Sequence, residues 1–345
     1  MPLTGVEVQT PFTRRPDRPR VGFLGVGWIG LDRMKAIAAA DAVEIAAIAD
    51  PLSETLSQAA QTSPDAKQLN TLEELLTEKL DGLVIATPTA LHAEQSIRAL
   101  ESGLSVFCQK PLGRTADETE SVVTIAREAN RLLAVDLSYR FTEAMRRIRE
   151  RVQGGEIGEV YAVDLVFHNA YGPDKPWFRD PKLAGGGCVI DLGVHLVDLA
   201  LWILDFPKTE VTSADLFANG KRLTGRDCVE DYAVATLELS TGVAARLACS
   251  WNLHAGRDAL ISATFFGTKG GAQFRNENAS FYDFTAEIFR GTSRETIASP
   301  PDAWPGRAAA NWAKRLAAGE GFDPKADRLV QVARVLDQIY AKAER

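Results

Sequence analysis

The chain has 345 residues, 46% of them hydrophobic and 25% charged, with a formal net charge of −7. That length suits two domains with a core each, and the acidic balance argues against nucleic acid or an anionic membrane as the main partner. No apolar run approaches the ~20 residues that span a bilayer, residues 1–20 lack a secretory signal's apolar core, and four cysteines without CxxC spacing predict a reduced, cytoplasmic protein with no disulfide frame or zinc site.

Residues 1–19 are polar and proline-bearing, and they read as a tail or as an arm on a neighbouring subunit. A short apolar strand, Arg20 to Leu24, runs into Gly25-Val26-Gly27-Trp28-Ile29-Gly30, a G-x-G-x-x-G match. A helical pattern follows to about Ala40, then a strand from Val43 to Ala49 that ends on Asp50, 20 residues after Gly30. Strand, glycine loop, helix, strand and acid in that order predict a Rossmann dinucleotide site. Gly25 permits the turn, Gly27 lets the backbone approach a pyrophosphate, and Gly30 lets helix and strand close up. Asp50 would accept hydrogen bonds from both adenine-ribose hydroxyls and repel a 2′-phosphate, and Pro51 offers no cation. NAD is therefore expected over NADP.

Helices are expected near 53–62 and 71–78, then a continuous apolar strand from Gly82 to Ala86 that ends at Thr87-Pro88-Thr89. Ligands bind at the carboxyl ends of such strands, so this loop should border the cofactor. Helix 90–102 carries His92, which reads as a structural histidine or as a cofactor-side residue. Strand 105–108 ends at Gln109-Lys110-Pro111, helix 115–130 follows, and strand 132–135 ends at Asp136 to Arg140. Lys110 is either a surface lysine or a proton-handling group beside the nicotinamide.

From about Phe141 the pattern changes. Helix 142–153 precedes long strand-like runs at 160–167, 211–218, 232–239, 244–251, 260–266, 272–275 and 281–288. Several alternate apolar and polar residues, which predicts an antiparallel sheet packed on one face. Among them lies Gly185-Gly186-Gly187 and then a helix that is apolar nearly all round, interrupted by Asp191, His195 and Asp198 on one face. That polar stripe either is a structural hydrogen-bond network or faces a cavity. The loop before it carries Trp177, able to stack on a sugar ring, and Arg179, able to bind hydroxyls or an acid; both also read as loop anchors. Tyr139 and Arg140 have the same double reading. Two helical patterns, from Asn311 to Arg345 with a break at 319–324, end the chain.

Four pieces in this order resemble the Gfo/Idh/MocA family of oxidoreductases: the glycine loop, Thr87-Pro88-Thr89-Ala90-Leu91-His92, Gln109-Lys110-Pro111-Leu112, and Gly185 through His195. The resemblance covers about residues 20–345. It departs where the family usually has Glu at position 109 and often Asn at 89. It implies an N-terminal Rossmann NAD-binding domain (20–140) and a C-terminal α+β domain (141–345) with a large, mainly antiparallel open sheet. It also implies a last helix near the first domain and a homodimer or homotetramer through that sheet. Its proposed catalytic set falls on Lys110, Asp191 and His195, lining a substrate pocket that faces the nicotinamide, with a cis Lys110-Pro111 bond. The cofactor side takes in Gly25, Gly27, Trp28, Ile29, Gly30, Asp50, Thr87, Pro88, His92, Gln109 and Lys110. Tyr139, Arg140, Trp177 and Arg179 are candidates for the substrate, and no third metal ligand has convincing spacing beside Asp191 and His195.

The leading expectation is an NAD-dependent dehydrogenase or reductase of a secondary alcohol on a sugar, cyclitol or related polyol. His195 is slightly preferred over Lys110 as the proton acceptor. Gly193 is expected to keep the helix surface open between Asp191 and His195, and Asp198 to be structural. The alternatives are an enzyme that retains and recycles NAD(H) for internal oxidation–reduction or elimination, and a non-enzymatic dinucleotide sensor.

Overall fold

A computed structural model describes residues 18–344, so the expectation of a tail or arm falls almost wholly outside the described residues. Six parallel strands form the first sheet: β1 (Arg20–Leu24), β2 (Glu44–Ala49), β3 (Lys67–Leu69), β4 (Gly82–Ile85), β5 (Ser105–Cys108) and β6 (Leu133–Val135), in the order β3-β2-β1-β4-β5-β6. Between them run α1 (Trp28–Ala40), α2 (Ser53–Ala60), α3 (Leu72–Leu76), α4 (Thr89–Glu101) and α5 (Ala116–Glu128). β4 and β5 are buried at every position because their side chains alternate into two cores. Leu83 and Ile85 enter one core, and Val84 enters the other. The strand order reverses between β1 and β4. The loops after β1, β4 and β5 therefore meet at one crevice.

The second half holds α6 (Glu143–Gln153), β7 (Val160–Asn169), a short α7 (Pro181–Ala184), a π-helical turn (Val189–Gly193) that continues into α8 (Val194–Ile203), and eight further strands. These are β8 (Thr209–Ala218), β9 (Lys221–Arg222), β10 (Tyr232–Leu239), β11 (Ala244–Ser250), β12 (Ala259–Gly267), β13 (Gly270–Asn276), β14 (Phe284–Arg290) and β15 (Ser293–Ala298). They form a nine-stranded sheet in the order β15-β14-β13-β12-β7-β11-β10-β8-β9. Only β7 and β11 pair in parallel, with Leu165 opposite Leu247. In β10 Ala233, Ala235, Leu237 and Leu239 point into the core while Val234 and Thr236 stay half-buried, as the period-2 pattern requires. α8 lies on that inner face with nearly every residue buried.

This burial accounts for an apparent bilayer-length segment. Pro181–Ile203 has a mean hydropathy of 1.6 over its most apolar window, so the expectation that nothing approaches a membrane span was too strong; 89% of that window is buried inside the protein. β15 also escaped the pattern, because this edge strand is polar and mostly exposed. Two last helices, α9 (Arg307–Ala317) and α10 (Asp327–Ala343), tie the halves together. Trp312 of α9 packs 5.9 Å from Phe107 of β5 and fills the space beside Gly82, so α9 belongs to a core of the first sheet. α10 gives Val330 to a first-sheet core and Val332, Val335, Leu336 and Ile339 to the second. A cut at residue 140 divides the sequence but not the packing.

Candidate active site

The crevice opens into a cavity of about 480 Å³ between the two sheets. One wall is Gly27 to Gly30, Ala86 to Thr89 and Gln109 to Pro111. The other is Pro173 to Lys175, Trp177, Phe178, Ala184, Gly186, Gly187, Ile190 and Asp191. The three glycines of the first loop differ in kind. Gly25 has φ of 85° and a Cβ there would meet the Ala86 carbonyl, and a Cβ at Gly30 would overlap the Gly25 carbonyl. Gly27 has nothing within 4 Å of a built Cβ, so the backbone there faces open space. α1 starts immediately after it without a side-chain cap, which leaves its first N–H groups for an anion. Asp50 is 7% exposed; its Oδ2 accepts from Val26 N at 3.0 Å and its Oδ1 from Leu52 N at 3.0 Å. The carboxylate thus braces the glycine loop beside the strand end, with lone pairs left for ribose hydroxyls. These features fit a dinucleotide: Gly27, Trp28 and Ile29 at the pyrophosphate, and Asp50 at the adenine ribose.

His92 stands between two carbonyls, with Nδ1 2.7 Å from Pro111 O and Nε2 2.7 Å from Thr87 O. It staples the loop after β4 to the loop after β5. Burial pushes its pKa down, against those two carbonyls and together with nearby Lys110. Thr87 spends its hydroxyl on Gln95, at 2.6 Å. Gln109 donates Nε2 to Asp136 Oδ2 at 2.7 Å, and Arg33 of α1 donates Nε to the same oxygen at 2.6 Å. All three side chains are buried.

At the far end of the cavity Lys110 donates from Nζ to Asp191 Oδ1 at 2.6 Å and to the Asp191 carbonyl at 2.7 Å. The Lys110-Pro111 bond is cis. Trp251, just past β11, donates Nε1 to Asp191 Oδ2 at 3.1 Å, so both carboxylate oxygens are held. Asp191 sits within the π-helical turn, a feature frequent at functional sites. Trp177 stacks on Phe178 at 3.8 Å and faces the cavity; Phe178 meets Trp251 edge-on.

Several expected residues stand elsewhere. His195 does not line this cavity. It lies one helical turn beyond Asp191, 8% exposed, with Tyr139 edge-on at 4.8 Å and Phe167 at 6.4 Å. Burial holds its pKa well below the usual histidine value, helped by the positive charges of Lys110 and Arg33, so its ring is neutral. Tyr139 is buried among Phe167, Phe274, Phe284 and Trp304, where burial raises its hydroxyl pKa. Arg140 turns away to Asp198, donating Nε to Oδ2 at 2.7 Å, and this pair satisfies the deepest polar group of the helix. Neither Tyr139 nor Arg140 is placed to touch a substrate in the cavity. Arg179 is exposed beyond the rim. A Cβ at Gly193 would face Val189 and Cys249 rather than open space, so this glycine does not open the helix surface as expected. Among the described residues, no set of three His, Cys, Asp or Glu is arranged to hold a metal.

Trp251, Arg33 and Asp136 escaped the sequence reading. The parity of β11 points Trp251 inward, but nothing local says that it reaches Asp191. Arg33 and Asp136 lie 103 residues apart.

A glycine-loop Rossmann sheet, joined to a second sheet whose helix delivers a carboxylate onto a lysine at the cofactor edge, defines a dinucleotide-dependent oxidoreductase. Residues 19–137 match the oxidoreductase family with an NAD-binding Rossmann fold, and residues 145–273 match the GFO/IDH/MocA C-terminal domain. Among relatives, the chain is 30% identical over 329 residues to D-xylose 1-dehydrogenase (NADP(+)) 2 of Haloferax volcanii, covering 94% of this chain and 97% of that one. It is 31% identical over 211 residues to D-glucoside 3-dehydrogenase of Escherichia coli, over 57% of this chain and 60% of that protein. A solved structure of levoglucosan dehydrogenase with NADH and levoglucosan superposes with a TM-score of 0.81 at 22% identity, over 94% of this chain and 97% of that one. The chain belongs to the Gfo/Idh/MocA family of oxidoreductases.

Proposed function

We propose that the protein is an NAD-dependent dehydrogenase or reductase of a secondary alcohol on a sugar, cyclitol or related polyol. Residues 20–140 serve mainly as the cofactor unit, and residues 141–345 mainly as the substrate unit. The observation that carries this reading is the Lys110–Asp191 pair. It stands at the carboxyl edge of β5, in the cavity that the glycine loop opens. NAD, when bound, supplies the hydride acceptor. Lys110 reaches the substrate oxygen beside Asp191: in reduction its ammonium donates a proton to the carbonyl oxygen, and in oxidation the amine, having first released a proton to solvent, takes the hydroxyl proton. Asp191 balances that charge and aims Nζ, and Trp251 fixes Asp191. His195 lies one turn deeper, outside the cavity lining, and its lowered pKa makes it a weak base, so it serves as a packed neighbour of the pair rather than as the first proton acceptor. Trp177 offers a flat apolar face for a sugar ring. The names of relatives that act on a glucoside, a xylose, levoglucosan and an inositol support the polyol class. Asp50 and Pro51 favour NAD here, although the haloarchaeal relative is named for NADP.

The outer face of the second sheet carries Tyr161 and Leu260, 57% and 37% exposed, and suits the homodimer or homotetramer expected from the resemblance. The test of function is a panel of sugars, cyclitols and glycosides with NAD and NADP in parallel, followed by absorbance of the reduced cofactor. Lys110→Ala should lower turnover by about 10²–10⁴-fold while leaving NADH affinity nearly unchanged. No oxidation across the panel, or near wild-type turnover in Lys110→Ala, would overturn the reading.

A further inference from the structure

Glu230 precedes β10 and is 1% exposed. Its carboxylate takes Gly187 N at 3.0 Å on each oxygen and Val189 N at 2.9 Å, and its own carbonyl takes Cys188 N at 3.0 Å. Three consecutive N–H groups at the start of the helix are thus held by one residue 43 positions away. Tyr340 of α10 completes the set by donating its hydroxyl to Glu230 Oε1 at 2.8 Å. Burying a carboxylate is costly unless donors compensate it. Here the donors are helix N–H groups and a phenol, with no cation among the hydrogen-bond partners.

The glycine triplet is shaped to this arrangement. A Cβ at Gly186 would overlap the Tyr340 hydroxyl, and one at Gly187 would overlap the Glu230 carbonyl. The hold passes directly to the site, because Asp191 N donates to the Gly187 carbonyl at 3.0 Å. α10 also grips the other partner. Asp337, three residues before Tyr340, accepts from Ala116 N at 2.8 Å, at the start of the helix that follows Lys110.

We propose that Glu230 and Tyr340 are positioning residues of the redox site, and that α10 sets the reach between Lys110 and Asp191 by holding the chain on both sides. This rests on the reading of Lys110 and Asp191 given above. In the absence of the clamp, the turn that carries Asp191 would be free to drift from Lys110.

Two variants test it. Tyr340→Phe removes one hydroxyl and keeps the ring; Glu230→Gln keeps the size and removes the charge. The first readout is competitive acetylation of the apoprotein with acetic anhydride, resolved by mass spectrometry. Lys110 should label about threefold faster in either variant as its ion pair loosens, while other lysines stay unchanged. The second is kinetic: kcat should fall about 10- to 100-fold with NADH affinity within about twofold of wild type. Unchanged Lys110 labelling in Tyr340→Phe overturns the clamp, whatever the turnover. A wild-type protein that oxidises nothing on the panel overturns the functional reading instead, and the labelling result still decides the clamp.

Discussion

Replacing Gln109 with the glutamate usual in the family should destabilise this chain, and do so in proportion to pH. The Gln109 amide lies 2.7 Å from Asp136 Oδ2, with both side chains buried and Arg33 paired with Asp136 through the same oxygen. Gln109→Glu turns a donor into a second carboxylate facing Asp136, with the two charge centres about 4 Å apart. Two like charges about 4 Å apart at an effective dielectric near 20 repel by about 4 kcal/mol. The chain can instead take up a proton. From a reference pKa of about 4.3 that costs about 3.7 kcal/mol at pH 7 and about 1 kcal/mol at pH 5. Arg33 offsets part of the repulsion but not the cost of protonation, so the loss should be about 2–3 kcal/mol at pH 7, shrinking to about 1 kcal/mol or less at pH 5. The sign follows from linkage: the folded variant binds a proton that the unfolded chain has released, so its stability falls as pH rises. Urea unfolding of the apoprotein at both pH values measures this. Gln109→Glu combined with Asp136→Asn should recover most of the loss. A single variant within about 0.5 kcal/mol of wild type at pH 7, or a loss that does not shrink with acid, would refute the charge argument.

Two other outcomes follow from the same geometry. Asp50→Asn removes the charge and keeps one acceptor oxygen, so either Val26 N or Leu52 N loses its side-chain partner, and the preference for NAD over NADP in kcat/KM should narrow by about 10- to 100-fold. An unchanged ratio would show that Asp50 does not discriminate. His195 stays neutral when folded, because burial and the charges of Lys110 and Arg33 hold its pKa well below the usual histidine value. The unfolded chain gains a proton there as pH falls below 6.5 and the folded chain does not, so stability drains by about 1.4 kcal/mol per pH unit until the depressed folded pKa is reached. Urea midpoints from pH 7.5 to about 4.5 should fall less steeply in His195→Gln than in wild type; parallel curves would count against a neutral His195.

Much of the fold was legible because its signals are local. The glycine loop, the apolar parallel strands and the alternation of β10 all lie within windows shorter than a dozen residues. Short or polar edge elements such as β3 and β15 were not, since pairing rather than composition makes them strands. Lys110 and Asp191 were legible as a candidate pair through their motifs, and the structure places them 2.6 Å apart. His195 was expected in the same pocket, because helical spacing reports a shared face. It does not report depth: four residues advance about 6 Å along the axis, enough to carry His195 past the cavity and into the aromatic core. Arg140 and Tyr139 followed the last Rossmann strand as expected, but their side chains are taken by Asp198 and by a ring cluster.

Local spacing alone therefore determined the parts: a dinucleotide loop, an acid after the second strand, a lysine at a strand end and a polar stripe on a buried helix; the class came from the resemblance that four motifs carry together. Tertiary structure decided what those parts are tied to. Trp251 and Asp191 stand 60 positions apart, Gly187 and Glu230 43, and Glu230 and Tyr340 110, and each pair is joined only when two sheets and the last helix close around one turn. The glycine triplet shows the difference most plainly. In sequence it marks where a helix begins; in space it is the room that a buried glutamate and a tyrosine need to hold that helix in place.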